Sequence, residues 1–162
     1  MTDEVPTATP GAPIDEDLSP LQFDLDVRCD PARAFAMWTD EISRWWPIAD
    51  HTTSGDAEAL VIEPRAGGRI FERTHAGAEV EWGQVRVYEP PVRLVFKWHI
   101  GADASDATEV ELTFRPGTGG GTAVRLVHRG WDALAADAAE RREGNLGGWS
   151  GVLESFEAAA NA

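Results

Sequence analysis

Two side chains combine a proton-transferring type with an inward phase: Glu72 and His128. In 69–75, Ile70, Glu72 and Thr74 alternate with Arg69, Phe71, Arg73 and His75, and three basic side chains on the second set turn Glu72 inward. A carboxylate on an apolar face loses hydration, so its pKa rises unless a cation or donor compensates, and such a group can act as a general acid or base. The alternatives are structural pairing of Glu72 with an Arg or an indole N–H, and a reversed face, because Phe71 is apolar. His128 shares its phase with Thr122, Val124 and Leu126, while Arg125 and Arg129 take the other. Its imidazole therefore points at whatever covers the apolar face, as a ligand contact, an acid/base group or a satisfied core histidine. In a meander three strands separate the two residues, roughly 19 Å along the sheet. A direct pair is excluded without strong curvature, although one ligand can touch both.

Aromatic residues supply candidate walls. The chain has seven Trp against one Tyr, and each indole brings a large apolar area with one N–H that needs a partner. Phe96, Trp98, Phe114 and Trp149 fall on inward phases, Leu153 joins the same helical stripe as Trp149, and Trp82 adjoins an expected bulge. Each is either a ligand contact or ordinary core packing. Trp45-Trp46 is either a lid or an anchor for a helical pair. His99 falls on the outward phase, and His51 and His75 lie in or beside loops. No His or carboxylate spacing specifies a metal, and no cofactor motif is present. The glycine-rich 117–121 joins strand to strand, unlike phosphate-cradling loops, which lead into a helix. There is no Gly-x-Ser-x-Gly elbow, and Cys29 has no motif around it, so covalent catalysis lacks a nucleophile.

The elements that position these residues follow from periodicity. Residues 23–29 alternate as a half-buried strand, Asp30-Pro31 caps a helix with Ala34, Phe35 and Trp38 on one stripe, and Ile42, Trp45 and Trp46 form a second short helix that Pro47 ends. A polar loop over 48–58 leads to six strands at 59–63, 69–75, 80–88, 93–100, 108–115 and 122–131, joined by short Gly/Pro turns. Between Trp82 and Val85 the apolar phase switches at Gly83, the sign of a β-bulge. Over 132–160, Leu146, Trp149, Val152, Leu153 and Phe156 make the stripe of a long amphipathic helix. Gly144, Gly147 and Gly148 within it each cost roughly 1 kcal/mol relative to alanine. Close approach to the sheet, a kink or a break would explain them.

Composition bounds the class. Residues 21–160 fit a single domain, preceded by an acidic, proline-rich tail over 1–20 that reads as disordered and holds no apolar stretch long enough for a signal peptide or a membrane span. With 28 acidic residues against 13 Arg and one Lys, the net charge of -14 repels nucleic acid and anionic membranes. A single cysteine excludes an internal disulfide and suits a reducing, cytoplasmic location, with Cys29 as a buried core thiol.

The order of strand, two short helices, six-strand meander and long C-terminal helix is that of the α+β helix-grip fold, a curved antiparallel sheet of about seven strands wrapped around the last helix. The chain resembles the SRPBCC (START/birch-allergen-like) superfamily, and within it the activator of Hsp-90 ATPase homologue-like proteins. The matching pieces are DPARAFAMWTD with RWWP, EPRAGGRIFER, WGQVRVYEPPVRLVFKWH, TEVELTF, GTAVRLVHRGW and GGWSGVLESF, which span about 23–157. The resemblance implies a hydrophobic cavity between sheet and helix, in a superfamily ranging from lipid carriers to cyclases and co-chaperone domains. The expectation is a protein that binds a small, largely apolar molecule through Glu72, Trp82, Phe96, Trp98, Phe114, His128, Trp149 and Leu153. A cyclase, dehydratase or hydrolase using Glu72 or His128, and a co-chaperone-like ATPase activator, are the alternatives. A homodimer or a chaperone contact stays open.

Overall fold

The computed structural model describes residues 17–134 and 136–162. Strand β1 (Leu21–Val27) is followed by α1 (Pro31–Thr39), where the Asp30 side chain accepts from the Arg33 N–H and Pro31 opens the first turn. Six strands come next: β2 (Ala57–Ile62), β3 (Arg69–Thr74), β4 (Glu79–Glu89), β5 (Arg93–Trp98), β6 (Thr108–Pro116) and β7 (Thr122–Arg129). Helix α2 (Ala138–Ala160) closes the chain. The strands form one antiparallel sheet in the order β1-β7-β6-β5-β4-β3-β2, so β1 returns to pair with β7 and the rest is a meander. The sheet curls around α2, the helix-grip arrangement.

Alternation along β5, β6 and β7 produces the buried face. Leu94, Phe96, Trp98, Val110, Leu112, Phe114, Val124 and Leu126 are each at most 5% exposed, and α1 and α2 cover them with Phe35, Trp38, Trp149, Val152 and Phe156. The phase change in β4 is a bulge at Trp82: Ile70 pairs with Gly83 and Phe71 with Glu81, leaving Trp82 as the extra residue. Gly83 is obligatory there, because a Cβ would lie 1.9 Å from the Lys97 carbonyl oxygen on β5. A second register shift falls between Val85 and Val87.

Several expectations are corrected. The second short helix is a single 3-10 turn, Ile42–Arg44, after which Trp45 and Trp46 are swung into the interior. Phe71, on the outer face of β3, is buried all the same, because the Arg69 and Arg73 guanidinium groups lie 4.5 and 5.7 Å from its ring centre. His99 keeps its outward phase but is buried there, held by Ala102 O and the Glu81 carboxylate. Cys29 is half-buried, not a core thiol.

The three helical glycines mark neither a kink nor contact with the sheet. Helix α2 is continuous, and a Cβ at Gly144, Gly147 or Gly148 would meet nothing within 4 Å. Of the tail assigned to 1–20, residues 1–16 lie outside the described residues. Residues 17–20 are drawn toward α2, where the Arg142 guanidinium donates to Ser19 O at 2.7 Å. Among the described residues no helix is long and apolar enough to cross a membrane, and no group of three His, Cys, Asp or Glu side chains is placed to hold a metal ion.

Candidate functional site

Glu72 points inward from β3 and is fully buried. Its Oε1 accepts from Trp82 Nε1 at 2.8 Å, Thr53 N at 2.8 Å and Thr53 Oγ1 at 2.9 Å, and its Oε2 from Ser54 N at 2.9 Å. Four donors thus surround the carboxylate, three on Oε1 and one on Oε2. Burial pushes the Glu72 carboxyl up, but the hydrogen bonds from Ser54 and Thr53 outweigh it and hold the group below its ordinary value. It is therefore an ionised anchor for the loop 47–56. The bulge is what brings Trp82 to it, by turning the indole to the same face.

His128 is equally buried and sits in a directed chain of hydrogen bonds. Trp149 Nε1 donates to His128 Nδ1 at 2.9 Å, and an indole can only donate, so the ring proton belongs on Nε2, facing Thr108 Oγ1. The Thr108 hydroxyl in turn donates to Trp98 O at 3.2 Å. Trp131 packs against the imidazole with centroids 4.2 Å apart and planes tilted by 41°, and donates its own N–H to His128 O. Burial first, then the nearby Arg141 and Arg129 charges, push the His128 pKa down to about 3. The ring is neutral and both nitrogens are occupied. Trp149→Phe, which removes the only donor to Nδ1, is expected to cost about 1–3 kcal/mol in a denaturant titration, the penalty of one buried unsatisfied acceptor.

Strands β4, β5 and β6 stand between these two residues. The interior between them holds Trp46, whose ring centre lies 5.5 Å from Trp82 and 6.3 Å from both Trp98 and Trp149. Trp46 Nε1 donates to His51 O and Trp45 Nε1 to Met37 O, so this pair anchors its segment to the core.

Near the end of β5 a slot of about 210 Å³ opens between the sheet and α2. Trp98 and Trp149 form its aromatic wall, and Ile100 and Val152 extend it. Gly144 and Gly148, one turn apart on α2, open the helix side, with Asn145 between them. His51 and Thr52, from the loop anchored by Glu72, complete it. No lining residue is an acid, an Arg or a Lys.

Of the eight contacts expected from sequence, Trp98 and Trp149 line this slot. Phe96 packs on Trp98 at 5.4 Å, Phe114 on Phe35 at 5.3 Å, and Trp82 and Leu153 lie in the core. Glu72 and His128 reach the slot only indirectly, through the loop and through the Trp149 indole. Sequence reading passed over His51, Thr52 and Asn145. The one available signal was the Gly144/Gly148 pair at i and i+4, which marks a notch on one helix face.

Known structures share this architecture. The chain is 28% identical to CalC from Micromonospora echinospora, a self-sacrificing resistance protein, over 88% of this chain and 94% of that one, with a TM-score of 0.70. It is also 28% identical to the anthrahydroquino-gamma-pyrone synthase Txn09, whose structure is a complex with SUM, over 77% and 85% of the two chains at a TM-score of 0.54. The Aha1 dimer from Colwellia psychrerythraea is 16% identical over 88% and 96% at a TM-score of 0.60, a likeness of fold. No curated protein sequence gives a significant match. The family model described as Activator of Hsp90 ATPase homolog 1-like protein matches residues 28–161, nearly all of the sheet and both helices, and the chain belongs to that family.

Proposed function

We propose that this protein binds a small, largely apolar molecule in the slot between Trp98, Trp149 and the glycine-notched face of α2. The observation that carries this reading is the pair of helical glycines. An exposed helix interior gains roughly 1 kcal/mol for each Gly replaced by Ala, yet two of them stand where side chains would fill the slot. Synthase activity in a 28% identical relative supports a small-molecule role for the architecture. The buried hydrogen bonds that engage Glu72 and both nitrogens of His128 favour binding over proton transfer by either residue.

The test uses 2-methylnaphthalene as an apolar probe, followed by the indole N–H resonances of Trp98 and Trp149. Saturable shifts are expected in the native protein, and Gly148→Leu, which fills the notch, is expected to weaken binding at least tenfold. Gly147→Ala, outside the slot, should keep the affinity and gain about 0.5–1 kcal/mol of stability. Absence of binding to the native protein, or unchanged affinity in Gly148→Leu, removes the proposal.

A further inference from the structure

We infer, resting on the slot reading above, that His51 is the residue that selects the ligand, and that the ligand class is a neutral two-ring aromatic compound bearing one hydrogen-bonding group such as a hydroxyl.

Size and shape set the ring system. The slot's 210 Å³ lies between the cavity of about 150 Å³ that holds benzene and the lower limit of about 300 Å³ for drug-sized ligands. Trp98 and Trp149 lie against each other with centroids 5.3 Å apart and planes inclined by 32°, so the slot meets an apolar wall of indole edges suited to an aromatic guest. Charge sets neutrality. An anionic ligand would lose its hydration in a lining without Arg or Lys, on a chain of net charge -14.

Polar accounting singles out His51. Asn145 Oδ1 accepts from Trp98 Nε1 at 3.3 Å, its Nδ2 donates to Arg141 O at 2.8 Å, and Thr52 Oγ1 donates to Ile48 O at 2.9 Å. These lining groups already have partners. His51 Nδ1 has none, and among the described residues it is the buried side-chain polar atom left unsatisfied. The backbone around it is fixed: Trp46 Nε1 donates to His51 O, and Glu72 holds Thr53 and Ser54 immediately beyond. Its ring rests against Gly151, where a Cβ would come 3.1 Å from Nε2 and 3.2 Å from Cε1, so glycine makes room for the imidazole. With the backbone pinned, rotation about Cβ–Cγ remains, and it turns a nitrogen edge toward a bound molecule. An imidazole offers one donor and one acceptor, which a hydroxyl can meet in either sense.

Three probes of matched ring size separate the possibilities: 2-naphthol, 2-methylnaphthalene and 2-naphthoate. The native protein is expected to bind 2-naphthol about tenfold or more tightly than either of the others, and His51→Phe should reduce that preference, read as the ratio of the two affinities within the variant, to near unity. Since the variant changes a packed ring, the imidazole 15N resonances of native His51 give a second readout, with a shift on adding 2-naphthol and little on adding 2-methylnaphthalene. Equal binding of 2-naphthol and 2-methylnaphthalene, a preference that survives in His51→Phe, or unmoved His51 nitrogens overturns the inference and leaves the slot reading intact. No binding of any probe removes both.

Discussion

Glu72→Ala is expected to lower the unfolding free energy by about 3–4 kcal/mol, the consequence of stranding donors that face an ionised acceptor. Trp82 Nε1 is fully enclosed and has no route to water, so its lost partner is not replaced. Thr53 and Ser54 are exposed residues, and their N–H groups recover hydration only if the loop leaves its place against the sheet. For a chain of this size the melting temperature should fall by roughly 10 °C. Glu72→Gln separates shape from charge. An amide keeps one oxygen acceptor but turns an NH2 toward a donor, so the loss should be intermediate. Glu154→Gln, an exposed change on α2, should stay within about 0.5 kcal/mol. Denaturant titrations at pH 7.5 decide it, and a loss below about 1 kcal/mol for Glu72→Ala would contradict the anchoring role. The same substitution should weaken 2-methylnaphthalene binding, because the loop it frees carries His51 and Thr52. The lowered pKa of Glu72 has a matching sign: its contribution is present above the ordinary carboxyl range and is lost as pH falls through the folded value.

The sheet was legible because it obeys one period. Alternation placed Leu94, Phe96, Trp98, Val110, Leu112 and Phe114 on the inner face, and the phase change at Gly83 located the bulge to within a residue. That Glu72 points inward followed from the arginines around it. What it does there did not, since its loop partners are backbone N–H groups of Thr53 and Ser54 with no periodic signature. Thr108 was recoverable in principle: it shares the inward phase of Val110, which pairs with His128, so it lies diagonally across β6 from the imidazole. The slot was not recoverable. It joins a loop, the end of a strand and one turn of α2, and its helix side is opened by the side chains that Gly144 and Gly148 lack. Trp46 shows the converse, because a residue read as the lid or anchor of a second short helix fills the centre once a 3-10 turn replaces that helix.

Acid should destabilise the protein well before its carboxylates titrate, and His128 is the reason. In the unfolded chain this histidine takes up a proton near pH 6.5, whereas the folded ring resists protonation down to about 3. Between those values the unfolded state holds one more proton, so stability is fully present above pH 6.5 and declines as pH falls, by about 1.4 kcal/mol per unit at the limiting slope. From pH 7.5 to 4.5 the expected loss is about 2–3 kcal/mol. The depressed carboxylates, Asp17, Asp24, Glu41, Glu63, Glu72 and Glu111, act mainly below this window, since unfolded carboxyls titrate near 4. His75 has the opposite sign: Asp56 raises its pKa, so its contribution is present below pH 6.5 and is lost as pH rises through the folded value. Protonating His128 at Nδ1 would set a new N–H against the Trp149 indole donor, and no rotation cures this while Thr108 is committed to Trp98 O. His128→Gln should cost about 2 kcal/mol at pH 7.5, where the amide cannot reproduce both bonds in the imidazole geometry. Its stability should then stay nearly level from pH 6.5 to 4.5. Denaturant midpoints across that range test the assignment: a flat native profile, or a His128→Gln profile as steep as the native one, would place the acid-sensitive group elsewhere.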